Sequence, residues 1–176
     1  MRQLQRFLGF FLFFLLLSVA FAPALAQQVL FEDGFESGQL DPAFWTPRPS
    51  LEGASGGLVD VFNATDDART GSFSARLGRA ADGAETTNAL DLRLDLSGHS
   101  QVELRFWIRS FYDETQAQEG LYFSDDGGQT FTEVVAFDLL EDETDDVYYT
   151  LPPIDVDALA AAHGLSLTST FVIRFQ

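Results

Sequence analysis

The chain has 176 residues, no cysteine and no lysine, and 27 acidic residues against ten basic ones, for a formal net charge of −17. Without thiols it has neither disulfide staples nor cysteine-ligated metals, and so acidic a chain repels nucleic acid and anionic membranes. An acidic excess with arginine as the sole strong base suits a surface solvated in high salt, or one that collects divalent cations.

The first element is an export signal. Arg2 and Arg6 supply a positive start, residues 7–22 form an almost unbroken apolar run, and Ala24-Leu25-Ala26 is the small-x-small pattern a signal peptidase accepts. A run of sixteen residues falls short of the ~20 needed to span a bilayer, and Pro23 interrupts its continuation. The expectation is a signal peptide over 1–26 and a secreted, extracellular or cell-surface domain over 27–176, without membrane insertion after cleavage. Eight arginines then face all 27 acids, and the charge becomes −19. A mature chain of this size, with twelve phenylalanines left, can build one hydrophobic core.

Past the leader the dominant period is two. In Leu90-Asp91-Leu92-Arg93-Leu94-Asp95-Leu96 every leucine falls on one side and every charge on the other, the pattern of a half-buried strand. Val102-Glu103-Leu104-Arg105-Phe106-Trp107-Ile108-Arg109 repeats it, with Val102, Leu104, Phe106 and Ile108 inward. Ser97-Gly98-His99-Ser100 reads as a turn between them. If these two strands pair antiparallel, matching Leu94 with Val102 sets Arg93 opposite Glu103 and Asp91 opposite Arg105, whereas a shift of two opposes like charges. The alternative is that the two strands enter different sheets, as is common in sandwiches.

Further strands are expected at 29–31, 58–62, 72–77, 120–124, 130–137, 147–151 and 170–175, about nine in all, separated by Gly, Asp, Ser and Pro clusters. Residues 41–57, rich in Pro, Gly and Ser, read as a linker-like loop in which Trp45 plugs an edge of the sandwich. One helix is expected at 157–163, capped by Asp157 and ended by Gly164. Many short antiparallel strands indicate an all-β, two-sheet β-sandwich or jelly roll.

Ser124-Asp125-Asp126-Gly127-Gly128-Gln129-Thr130-Phe131 fits the Asp-box pattern Ser-x-Asp-x-Gly-x-Thr-aromatic. There a carboxylate and a hydroxyl bind the hairpin's own backbone while the ring packs beneath. The turn resembles the repeats of sialidase propellers, which carry several copies where this chain has one. Ser124, Asp126, Gly128, Thr130 and Phe131 therefore read as a self-capped hairpin, and Asp126 as structural instead of catalytic.

The segment Phe31-Glu32-Asp33-Gly34-Phe35-Glu36-Ser37-Gly38, then Trp45, Phe106-Trp107, the Asp-box hairpin and Phe171-Val172-Ile173-Arg174-Phe175-Gln176 resemble, in that order, the MAM-like and reelin-repeat-like jelly rolls of large secreted bacterial proteins. The resemblance implies a concanavalin-like sandwich used in adhesion, in glycan or protein recognition, or as a spacer beside other modules of one polypeptide, often with a structural calcium ion. The chain departs from it in lacking the cysteines of animal MAM domains. It also ends at Gln176, where relatives continue into an Asp-Asp segment that closes the sheet. A C-terminally incomplete sandwich lacking its last strand is the resulting expectation.

Two sites follow. Asp33 and Glu36, in the entry segment of the resemblance, are the candidate Ca²⁺ ligands, hard oxygens suiting that ion; the other reading is solvated acids beside a turn. The run 141–146 is acidic as well but lacks the EF-hand glycine and spacing. Trp107, outward between Arg105 and Arg109, is a candidate platform for stacking a sugar, against packing in the core or on an arginine. Catalysis finds little support. His99 and His163 have no metal-site spacing, Gly-x-Ser-x-Gly is absent, and so is the Glu-x-Asp-x-x-Glu strand of jelly-roll glucanases. The expectation is a non-catalytic binding, adhesive or spacer module, or else the accessory domain of a secreted glycosidase or protease whose catalytic domain lies elsewhere.

Overall fold

The computed structural model describes residues 28–53, 56–63, 68–80, 86–109, 118–137 and 147–176. The expected signal peptide and the acidic run 141–146 lie outside them. Internal contacts divide the chain into Met1–Glu32 and Asp33–Gln176. In the first unit the described residues 28–32 belong to no strand, although one was expected at 29–31. Val29 and Leu30 are both exposed, so no buried apolar face sets a register there.

The second unit is all-β. Among the described residues its strands are β1 (Trp45–Arg48), β2 (Gly57–Asn63), β3 (Phe73–Arg79), β4 (Ala89–Leu94), β5 (Glu103–Leu104), β6 (Gly120–Ser124), β7 (Thr132–Ala136), β8 (Ile154–Asp155) and β9 (Phe171–Phe175), with one helix, α1 (Val156–Ala162). They form a five-stranded sheet in the order β1-β4-β9-β6-β7 and two-stranded sheets β2-β3 and β5-β8, all antiparallel. β9 lies at the centre of the large sheet, with Phe175 opposite Leu90 on one side and Leu121 on the other. No helix among the described residues is long and apolar enough to cross a membrane.

The alternation in β4 does set its core face. Leu90 and Leu92 are buried, as is Leu96 just past the strand, and so are Leu121, Phe123, Phe171 and Ile173. Phe123 and Phe171 meet edge to face at 5.3 Å, and Phe106 meets Phe175 the same way at 5.1 Å. Such pairs stabilise somewhat beyond their buried area. Trp45 is also in this core, 5.5 Å from Phe35 and 6.3 Å from Phe175.

The polar face of β4 departs from the alternation. Asp91, expected in solvent, is 4% exposed. It stands opposite Arg174 in the ladder and accepts from Arg174 Nε at 2.7 Å, Arg174 Nη2 at 3.0 Å and Arg48 Nε at 3.1 Å. The pairing of β4 with the 102–109 strand does not occur: β4 lies between β1 and β9, and β5 pairs with β8. The charge pairs of that register are replaced, those of Asp91 by its bonds to Arg48 of β1 and Arg174 of β9 and that of Arg105 by one to Glu103, two positions back. The chain leaves the sheet after Leu96 because Asp95 Oδ1 accepts from Ser97 N and Oγ at 3.0 and 2.6 Å, and His99 N returns to Leu96 O at 3.1 Å. That local turn is too wide for a two-residue hairpin, and Gln101 follows at φ 58°.

Other boundaries also moved. β1 lies inside the stretch read as a linker; Pro47 is tolerated on this edge strand because its missing N–H takes no ladder bond. The expected strands at 102–109 and 147–151 shrink to β5 and a single bridge between Ile108 and Tyr149, and β8 was not foreseen. The helix starts one residue early. Asp155, in extended conformation, caps it by accepting from Ala158 N at 2.9 Å, while Asp157 accepts from Val102 N at 2.6 Å and ties the helix to the residue just ahead of β5. Gly164, at φ 74°, ends it, with Leu165 N reaching Ala160 O at 2.8 Å.

Candidate functional site

The entry segment works as a clasp. Asp33 Oδ1 accepts from Phe35 N at 2.7 Å, holding Phe35 at φ 61°, and Oδ2 accepts from Trp45 Nε1 at 2.8 Å. Glu36 reaches across to the start of β3, accepting from Ser72 N at 3.1 Å and Phe73 N at 3.2 Å. Gly71 makes that approach possible, since a Cβ there would sit 2.3 Å from Glu36 Oε1. The two carboxylates expected to share a cation thus each bind N–H groups. Among the described residues no three His, Asp or Glu side chains gather into a metal-ligating group.

The Asp-box turn closes on itself. Ser124, 1% exposed, donates to Asp126 Oδ1 at 2.7 Å and accepts from Gly128 N at 2.8 Å. Asp126 also accepts from Gln129 N at 2.9 Å, from Thr130 N at 3.0 Å and from the Thr130 hydroxyl at 2.6 Å. The Thr130 hydroxyl and amide, with the Ser124 hydroxyl, hold the Asp126 carboxyl well below the usual carboxylate range. An anion so stabilised is a poor proton acceptor and a sound cap. Gly127 and Gly128 supply the positive φ values, 80° and 89°, that the turn requires. Phe131 lies under the Arg174 guanidinium, 3.5 Å from its ring centroid, which couples the hairpin to the buried Asp91 pair. Asp125 ties it to the segment before β9, accepting from Ser166 N at 3.1 Å and, through its carbonyl, from the Thr168 hydroxyl at 3.0 Å.

Trp107 is, among the described residues, an exposed large aromatic ring, more so than Phe44 at 37%. It is 47% exposed, while Val102, Leu104, Phe106 and Ile108 around it are half-buried, so the alternation holds where the ladder does not. The three residues expected to act together separate. Arg105, exposed, turns to Glu103, and the Arg109 guanidinium lies 5.7 Å from the Tyr148 ring, whose hydroxyl is 3.1 Å from Ser74 Oγ on β3. The cation on Trp107 is instead Arg69, whose Cζ lies 3.6 Å from the ring centroid. Arg69 sits in the bend before β3; no period or spacing joins positions 69 and 107, and only the three-dimensional arrangement reveals it.

An apolar groove of about 380 Å³ lies between the end of β7, the Leu151-Pro152-Pro153 turn and α1. Its one ionisable lining residue, Asp155, caps the helix, so the groove offers nothing to orient a polar ligand. The Trp107–Arg69 surface joins an apolar plane to hydrogen-bond donors and is the better candidate. Comparison with protein-family models, with curated proteins and with solved structures finds no match for this chain.

Proposed function

We propose that the chain is an exported, non-catalytic β-sandwich module that binds glycans on the surface around Trp107. The observation that carries this reading is the pairing of an exposed indole with an arginine stacked at 3.6 Å. Sugar rings present C–H faces that pack on flat aromatics and hydroxyls that need directed partners, and an indole beside a guanidinium supplies both. Packing on Arg69 is also a contact in its own right; it holds the ring in place by covering part of it and leaves Trp107 47% exposed.

The finer architecture belongs to the same reading. The five-stranded sheet forms one layer of a jelly roll, and the two smaller sheets face it across the core, a view supported by Phe106 packing on both Phe175 and Phe137. Export rests on the leader-like sequence of residues 1–26. Asp33 and Glu36 enter as candidate ligands of a structural calcium ion, since both oxygens of Asp33 and Oε2 of Glu36 accept a single N–H each and keep a lone pair.

A glycan array probed with the chain recovered from a secreting host tests the reading. Binding to one glycan class is expected, with Trp107→Ala weakening it about tenfold or more while the unfolding midpoint stays unchanged. Failure to bind any glycan, or unaltered binding by Trp107→Ala, refutes it.

A further inference from the structure

We infer that the glycan recognised at Trp107 is acidic, a hexuronate whose carboxylate is gripped by Arg69. The inference rests on the glycan reading above and adds the chemical class of the ligand. Its basis is how the arginines are used. Arg48, Arg76, Arg105 and Arg174 each hold a carboxylate of the protein. Arg69 is exposed and, in a chain with 27 acids, has no ion pair among the described residues; its contact is with the face of Trp107.

Stacking uses the flat face of a guanidinium and leaves its edge, where the N–H donors lie. That edge matches a carboxylate bidentately, through two parallel N–H···O bonds. The indole fixes the plane of the fork, so less conformational freedom is lost when an anion arrives. A ligand suited to both groups has an apolar ring face for Trp107 and a planar anion at its rim for Arg69, which describes a uronic acid residue. The protein's overall negative charge does not prevent this at physiological salt, where the Debye length of about 8 Å leaves nearby charges dominant.

The test is calorimetric titration of the chain recovered from a secreting host, in about 0.15 M NaCl, with an oligogalacturonate and with its methyl ester. The two share a backbone and differ in the carboxylate. The free acid is expected to bind about tenfold tighter than the ester. Arg69→Gln is expected to remove that preference by weakening acid binding alone, and Trp107→Ala to weaken both ligands. Arg69→Lys keeps the charge without the fork and is expected to recover only part of the preference. Equal binding of acid and ester, no binding of either by the folded chain, or equal weakening of both by Arg69→Gln overturns the inference. Neutral glycans that bind and are lost with Trp107→Ala would then leave the broader reading standing, and silence across the array would end both.

Discussion

Replacing Asp91 with asparagine takes one charge out of the five-stranded sheet and leaves the side chain's shape. Its two arginine partners lose differently. Arg48 has a side chain 45% exposed, so water can rehydrate it, and its share is about 1 kcal/mol or less. Arg174 has a side chain 12% exposed and lies on Phe131; it would keep a largely buried charge without a counter-ion, at a cost of about 3 kcal/mol. Against a total stability of about 5–15 kcal/mol, that loss should lower the thermal midpoint by roughly 10 °C. Urea unfolding followed by circular dichroism and by the fluorescence of buried Trp45 gives the free energy, provided the slope is unchanged. The double replacement Asp91→Leu with Arg174→Met exchanges the pair for apolar contacts and should recover most of the loss. A cost below about 1 kcal/mol for Asp91→Asn, or a double variant no better than the single one, would refute the claim that this charge is held by burial and pairing.

The Asp126 cap should show a pH signature. Its folded pKa is depressed, so its contribution is full above the unfolded value of about 4 and drains away as pH falls from there toward the folded value. The midpoint gap between the parent chain and Asp126→Ala should therefore narrow as the solution is taken from neutrality into acid below pH ~4; a gap independent of pH would contradict the assignment. For calcium, the parent chain should melt higher with millimolar CaCl₂ than with chelator at equal ionic strength, as mass action requires of a native-state ligand, and Asp33→Asn should erase the difference. Equal midpoints would leave Asp33 and Glu36 with the clasp role alone.

How much could be read in advance depended on the range of the interactions. The edges of β6 match the expected strand, and β2, β3, β7 and β9 lie within two residues of theirs, because turn residues and alternation act over a few positions. The helix was misplaced by one residue because two aspartates compete for the cap. Asp155 holds it, and Asp157 accepts from Val102 N instead. β1 was missed because Pro47 and its neighbours argue locally for a loop, and the strand exists through its ladder with β4. At the candidate site Trp107 was legible from alternation, whereas Arg69 lies 38 positions away in a bend.

By itself the sequence determined the all-β class, the leucine face of β4, the outward placement of Trp107 and the Asp-box turn, since each depends on residue types and spacings within about one strand or turn. Tertiary structure decided which strands became neighbours, and therefore that Asp91 is buried between Arg48 and Arg174 and that Arg69, not Arg105 or Arg109, covers Trp107. A charged side chain's pattern fixes only which face of a strand it leaves from. What it meets there depends on the elements that pack around it, and for Asp91 those lie 43 and 83 positions away.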